Sequence, residues 1–189
     1  MQTVIDQHLS EHAQVVASLD QLREPLAHAG KLCSDALRRG NKILLCGNGG
    51  SASDAQHIAA ELVGRFVADR RSLPAIALTT DTSALTAIAN DYGYDQVFSR
   101  QLEGLGAKGD VLIAISTSGN SANVNLAASM AQSLGIQVVA VSGKGGGDLL
   151  NHADCALVVD SKTTARIQEC HILIGHLLCA LIETSLELA

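Results

Sequence analysis

Apolar residues recur along this chain in two alternating rhythms. Short unbroken runs read as strands buried on both faces: Lys42-Ile43-Leu44-Leu45-Cys46, Pro74-Ala75-Ile76-Ala77-Leu78, Asp110 to Ile115, Ile136 to Val141 and Cys155 to Val159. Between them lie segments whose apolar positions fall three and four apart, the spacing of helices. Residues 3–22 place Val4, Ile5, Leu9, Ala13, Val16 and Leu19 on one face. A second helix runs from Pro25, a residue suited to a first turn, to about Arg39, and Gly40-Asn41 closes it. Residues 52–64, Ser83 to Ala89, 121–134 and 163–187 complete the set. Strands that alternate with helices predict an α/β fold, a five-stranded parallel sheet covered on both faces with right-handed crossovers. No Pro/Ser-rich linker or repeat divides the chain. Residues 1–189 therefore read as one domain, with 1–40 a helical arm outside the alternation and 41–189 the α/β core.

The loops at the strand ends carry the chemistry. Ser116-Thr117-Ser118-Gly119-Asn120-Ser121 follows an apolar run and precedes a helix. Backbone N–H groups and the positive dipole end of that helix favour an anion there, and the hydroxyls add donors. Nothing in the loop is charged, so the ligand brings the charge and the protein brings dipoles. Gly47-Asn48-Gly49-Gly50-Ser51 sits after the first strand and closes over the same place, since ligands of open α/β sheets bind at the carboxyl ends of strands. It lacks the third glycine of G-x-G-x-x-G, and no phosphate-binding G-x-x-x-x-G-K-[ST] is present, so neither a dinucleotide nor ATP is supported. The Gly143-Lys144-Gly145-Gly146-Gly147 loop reads as a flexible turn. Ser116 lacks the G-x-S-x-G surroundings of a hydrolase nucleophile.

Composition narrows the choice. Net charge is −6, aromatics make up 2% and no Lys/Arg cluster exists, which argues against nucleic acid as a partner. The five cysteines have no paired spacing and read as reduced core thiols of a cytoplasmic protein. Met1 to Leu9 carries Asp6 and no basic run, so no leader is expected, and the apolar stretches read as too short to span a membrane.

His57 and Glu61 are four apart and share a helix face; Gln168 and His176 lie eight apart on the last helix. Two imidazoles, a carboxylate and an amide oxygen suit a divalent metal, although eight helical residues span about 12 Å. One ion reaches both only if the side chains lean together, the helix kinks or a second chain helps. An exposed helix pair is the plain alternative for His57 and Glu61, and packing or an interface for His171. Glu61 and His176 also form a natural acid/base pair for moving a proton between adjacent sugar carbons. Asn90-Asp91, just past the short helix, suit sugar hydroxyls or a simple turn.

Four segments in order carry a resemblance: Cys-Gly-Asn-Gly-Gly-Ser (46–51), Ala-Asn-Asp (89–91), Ile-Ser-Thr-Ser-Gly-Asn-Ser (115–121) and Arg-Ile-Gln-Glu-x-His (166–171). Together they resemble the sugar isomerase (SIS) domain family, on the side of its phosphoheptose isomerases, over nearly the whole chain. The resemblance implies a three-layer, flavodoxin-like sandwich with an N-terminal helical arm. It implies a homotetramer with active sites at subunit interfaces, and conversion of sedoheptulose 7-phosphate to D-glycero-D-manno-heptose 7-phosphate, the first step toward activated heptose for lipopolysaccharide and related glycans. It assigns Asn48, Gly49, Gly50, Asn90, Asp91, Ser116, Thr117, Ser118, Ser121, Glu61 and Gln168 to the substrate. Glu61 and His176 become the catalytic pair, and His57, Glu61, Gln168 and His176 the ligands of one Zn2+ per subunit. A non-catalytic relative that binds the replication initiator DnaA is the alternative; Glu61 and Ser118 favour the enzyme. Ala165 departs from isomerases that carry Asp before Arg-Ile-Gln, so no role transfers to it.

Overall fold

The computed structural model describes residues 1–188. Helix α1 (Gln2–Ser18) leads through a 3-10 turn at Leu19–Leu22 into α2 (Arg23–Arg38). Then follow β1 (Ile43–Gly47), α3 (Gly50–Val63), β2 (Ala75–Ala77), α4 (Thr82–Tyr92), α5 (Ser99–Leu105), β3 (Val111–Ser116), α6 (Ala122–Leu134), β4 (Gln137–Gly143), β5 (Cys155–Val159) and α7 (Thr164–Ser185). The strands form one all-parallel sheet in the order β2-β1-β3-β4-β5. The chain moves from β1 to one edge, then restarts beside β1 at β3 and proceeds to the other edge. That reversal opens a crevice at the carboxyl ends of β1 and β3.

Alternation inside the buried strands divides the core. Ile43 and Leu45 of β1 point toward α2, α3 and α7; Leu44 and Cys46 point toward α5 and α6, with Leu85 and Ile88 of α4 packed alongside. This is the three-layer α/β sandwich expected. All five cysteines are free and buried. Burial pushes the Cys33, Cys46 and Cys179 thiols up to about 12, so they pack as neutral groups.

Four expectations need correction. The first helix divides at Ser18, where a 3-10 turn redirects the chain toward α2. Residues 99–105 form a helix that sequence patterning does not mark, because only Leu102 and Ser99 of it are buried. Asn90 and Asp91 lie within the last turn of α4 rather than beyond it. Helix α7 is long and apolar enough, by length and composition, to cross a membrane. Its core position accounts for that: Ile167, Cys170, Ile174, Leu178, Cys179 and Ile182 are buried against α2, α3 and the sheet.

The buried ion pair Arg70–Glu183 ties the end of α3 to the end of α7. Arg70 Nε donates to Glu183 Oε1 at 2.8 Å, with both side chains almost fully buried. Arg70 also donates to the carbonyls of Glu61 and Leu62, 2.9 and 2.8 Å away, satisfying the last turn of α3. Glu183 accepts from the N–H groups of Phe66, Val67 and Ala68. Burial alone would raise the Glu183 pKa; the guanidinium and three N–H donors outweigh it and hold the carboxyl below the ordinary value of 4.5.

Glu183→Gln is expected to cost about 3–5 kcal/mol in urea unfolding at pH 7, because Arg70 stays buried without its counter-charge. A carboxylate with a lowered folded pKa contributes stability that is complete above 4.5 and is lost as pH falls through the folded value. The gap between the two proteins should therefore close on acidification; equal urea midpoints at pH 7 would remove the pair from the frame of the fold.

Candidate active site

Strand β3 ends at Ser116, which is buried, and α6 opens at Ala122. Between them the chain turns tightly, with Gly119 N–H donating to the Ser116 carbonyl at 3.0 Å and Gly119 in the left-handed region (φ 67°). The Ser116 and Ser121 hydroxyls lie 2.9 Å apart, and Ser118 Oγ accepts from Asn120 N–H at 3.1 Å. Its own hydrogen is thereby left to donate outward. Ser121, the residue before α6, makes no side-chain cap; the Val124 and Asn125 N–H groups donate to its carbonyl, which leaves the N–H groups of Ala122 and Asn123 and the positive dipole end for the crevice. That arrangement suits an anion such as a phosphate.

The loop after β1 is fastened to this one. Asn48 Nδ2 donates to Asn123 Oδ1 at 2.8 Å, and Asn123 Nδ2 donates back to Asn48 Oδ1 at 2.9 Å. Tyr94 Oη is a second donor to Asn48 Oδ1, at 3.1 Å. Asn123 is buried in the first turn of α6. The pattern of apolar positions gives no sign of it; a lone amide at the start of an otherwise Ala/Val-rich helix face is the one available signal. A small cavity of about 80 Å³ lies beside the loop, lined by Asn48, Gly49, Tyr94 and Phe98 among others. Gly50 and Ser51 belong to the first turn of α3, not to the loop. The Gln168 amide packs directly on Gly50, where a Cβ would overlap it.

Helices α3 and α7 lie side by side and run the same way: Gly50 meets Gln168, Ile58 meets Gly175, and His57 meets His176. A Cβ on Gly175 would come 2.5 Å from Ile58 Cδ1, so the glycine allows the close approach. His57 Nε2 and His176 Nε2 are 3.0 Å apart, and Glu61 Oε1 is 3.2 Å from the same His57 nitrogen. The Phe66 ring stacks against His176, centroids 5.5 Å apart. Asp54, one turn before His57, carries no motif that marks it in the sequence; burial pushes its pKa up to about 6, with His57 opposing.

Two imidazole nitrogens bound to one tetrahedral zinc sit about 3.3 Å apart, so His57, His176 and Glu61 fit an ion after a shift of a few tenths of an ångström. As placed, the three touch through His57, and among the described residues no three His, Cys, Asp or Glu side chains already form a cage. Gln168 stands apart from them, at the Gly50 end of the helix pair.

Glu61 itself lies eleven residues along α3 from Gly50, about 16 Å of helix. Within one chain the anion loop and the acid/base cluster are thus at separate ends of the same helix. Asn90 and Asp91 are exposed on α4, with Asn90 Nδ2 donating to Asp91 Oδ1 at 2.8 Å. His171 is buried, and burial pushes its pKa down to about 4, so it packs as a neutral ring, in line with the packing alternative.

A doubly wound parallel sheet with an uncharged Ser/Thr loop at its switch point and a His/Glu cluster on flanking helices defines an α/β protein with a crevice suited to an anion. The SIS domain family model matches residues 7–143. A phosphoheptose isomerase of Aliarcobacter butzleri is 54% identical over 184 residues, covering 97% of each chain. The solved phosphoheptose isomerase of Neisseria gonorrhoeae superposes with a TM-score of 0.92 at 47% identity, covering 97% of this chain and 98% of its own. That of Francisella tularensis gives 0.93 at 38% identity, covering 96% and 97%. The chain belongs to the SIS domain family, and within it to the phosphoheptose isomerases. It is an isomerase; the relatives lend no support to the regulator that binds a replication initiator.

Proposed function

We propose that this enzyme interconverts sedoheptulose 7-phosphate and D-glycero-D-manno-heptose 7-phosphate through an enediol, supplying activated heptose for surface glycans such as lipopolysaccharide in the cytoplasm. The observation that carries the reading is the meeting of Glu61, His57 and His176, drawn from two helices far apart in sequence, in a fold whose other functional element is an anion loop. The phosphate binds to the loop through Ser116, Thr117, Ser118 and Ser121 and the α6 N–H groups. Asn48, Gly49, Gly50, Asn90, Asp91 and Gln168 receive the sugar hydroxyls. Glu61 takes a proton from C1 of the open-chain ketose and returns it to C2. His176 takes the O1 proton and delivers one to O2, so protons balance over the cycle. General acid/base transfer of this kind contributes about 10²–10⁴-fold, and stabilisation of the developing enediolate by fixed dipoles adds the larger share.

Zinc is part of the proposal. His57, Glu61 and His176 would hold one ion per subunit, with Gln168 as a fourth ligand only if its amide left its seat on Gly50. Bound there, it would supply Lewis-acid polarisation of the substrate oxygens. The protein acts as a homotetramer with active sites at subunit interfaces. Two features support this: Val4, Ile5 and Leu9 leave α1 with an exposed apolar face, and the loop and the acid/base cluster are spaced apart in one chain.

Glu61→Gln should reduce conversion of sedoheptulose 7-phosphate by at least 10³-fold while leaving thermal stability and assembly unchanged; near-normal kcat would take the base role from Glu61. Elemental analysis of protein purified without chelator should find about one zinc per chain, falling well below half in His57→Ala; equal content in both would move the metal elsewhere. Light scattering should return four times the chain mass, and a monomer would dismiss the interface site.

A further inference from the structure

Residues 143–147 read as a flexible turn in the sequence, and the structure makes them something else. Four consecutive residues, Lys144, Gly145, Gly146 and Gly147, hold positive φ values of 52, 83, 94 and 59°. Three of them are glycines, for which this is permitted, and Lys144 is carried with them. The segment is pinned at both ends, by Gly146 N–H to the Gly143 carbonyl at 2.9 Å and Lys144 N–H to the Ser161 carbonyl at 3.1 Å. So wound, it presses onto the anion loop. A Cβ on Gly119 would overlap the Gly146 carbonyl, and a Cβ on Gly147 would come 2.5 Å from the Ser118 carbonyl oxygen and 2.6 Å from Asn120 Oδ1.

Hydrogen bonds complete the junction. Asp148 N–H donates to Asn120 Oδ1 at 2.9 Å, and Leu149 N–H donates to the Gly119 carbonyl at 2.9 Å. Asn125 Nδ2 reaches that same carbonyl at 3.2 Å. With Gly119 N–H engaging the Ser116 carbonyl, two acceptors of the loop's turn, the carbonyls of Ser116 and Gly119, are taken up by the junction and not left free beside the hydroxyls and the α6 N–H groups. An anion needs this separation: a carbonyl lone pair turned toward a phosphate repels it, and no cation in the loop offsets the repulsion.

We infer that the 143–149 segment is a brace for the anion loop, and that Asn120 and Gly147 are positioning residues acting through it on the phosphate of the substrate. The inference rests on the reading of residues 116–121 as the phosphate site. Asn120 has an exposed side chain and itself touches no proton-moving group. Its amide oxygen joins the two loops. Loss of that bond loosens the turn that aims the N–H donors, and binding of the phosphate weakens, while proton transfer at Glu61 and His176 does not depend on it.

The test uses the full-length protein with two probes, sedoheptulose 7-phosphate as substrate and inorganic phosphate as competitor. In Asn120→Ala, KM for the ketose phosphate and Ki for phosphate should rise together, by roughly three- to ten-fold, the worth of one hydrogen bond, with kcat changed less than two-fold. Gly147→Ala should shift both constants in the same direction and further. Should that variant fail to fold, Asn120→Ala still decides. Unchanged KM and Ki in Asn120→Ala, against a wild type that phosphate inhibits, would overturn the brace alone. A fall in kcat with KM and Ki unmoved would do the same. A wild-type protein that binds no phosphate, followed directly by calorimetry, would overturn the brace together with the phosphate reading of the loop.

Discussion

The arrangement of this molecule depends on two helices, α3 and α7, that lie parallel at very short range. Gly175 opens the space for Ile58, and the bare Cα of Gly50 receives Gln168. Parallel neighbours place like dipole ends together, an unfavourable pairing that antiparallel helices avoid. At the carboxyl ends the structure answers with Arg70, whose guanidinium caps the last carbonyls of α3 and reaches across to Glu183 on α7. Glu183 in turn gathers the N–H groups of residues 66–68, and through Phe66 this segment rests on His176. A buried pair thus supports both sides of the contact between His57 and His176, through the Glu61 carbonyl and through Phe66. Its electrostatic work is local, but its geometric consequence reaches the proposed acid/base pair.

At the other end of the same helices the protein uses dipoles in place of charge. Ser116, Ser118 and Ser121 are ordered by one another or by backbone N–H groups, and the Ser116 and Gly119 carbonyls are occupied elsewhere. The reciprocal amide pair Asn48–Asn123 locks the loop after β1 to the start of α6. Fixed donors cost no reorganisation when an anion arrives, which is the source of their strength in a site shielded from water. A loop of small residues without such supports would be free to turn its carbonyls inward. The glycines at 119 and 147 are therefore a matter of contact, since each abuts the other loop's backbone.

Much of this was legible in the chain because it rests on local rules. The runs Ile43 to Cys46, Val111 to Ile115 and Cys155 to Val159 are wholly or mostly apolar, and a parallel sheet is the fold that buries such strands on both faces. The small-residue loop between a strand and a helix marks the anion site by its position alone. What stayed hidden depends on alignment between distant elements. Helical spacing places Gln168 and His176 on one helix, yet only the parallel register with α3 reveals that one meets Gly50 and the other His57. The Asn48–Asn123 pair and the Arg70–Glu183 pair join residues 75 and 113 positions apart, with no periodic signal. Helix α5 escaped because it buries too little to impose a pattern, and α4 runs on through Asn90 and Asp91 because the stop is Gly93, with φ at 89°.

The separation of the two functional ends bears on the chemistry. Glu61 is one-quarter exposed at its side chain and His57 nearly one-half, while the described cavity beside Asn48 is about 80 Å³, too small for a sugar phosphate. An enediolate left open to water is poorly stabilised, because mobile solvent must reorganise around it, whereas fixed dipoles need not. Catalysis by these residues therefore requires a cover that one chain does not supply. The exposed apolar face of α1, pinned beside α7 by Arg166 donating to the His8 carbonyl at 2.6 Å, places surface suited to another subunit on the same side of the sheet as the acid/base cluster. In the proposed assembly, a subunit seated on that face would bury Val4, Ile5 and Leu9 and bring the cover that proton transfer at Glu61 and His176 calls for.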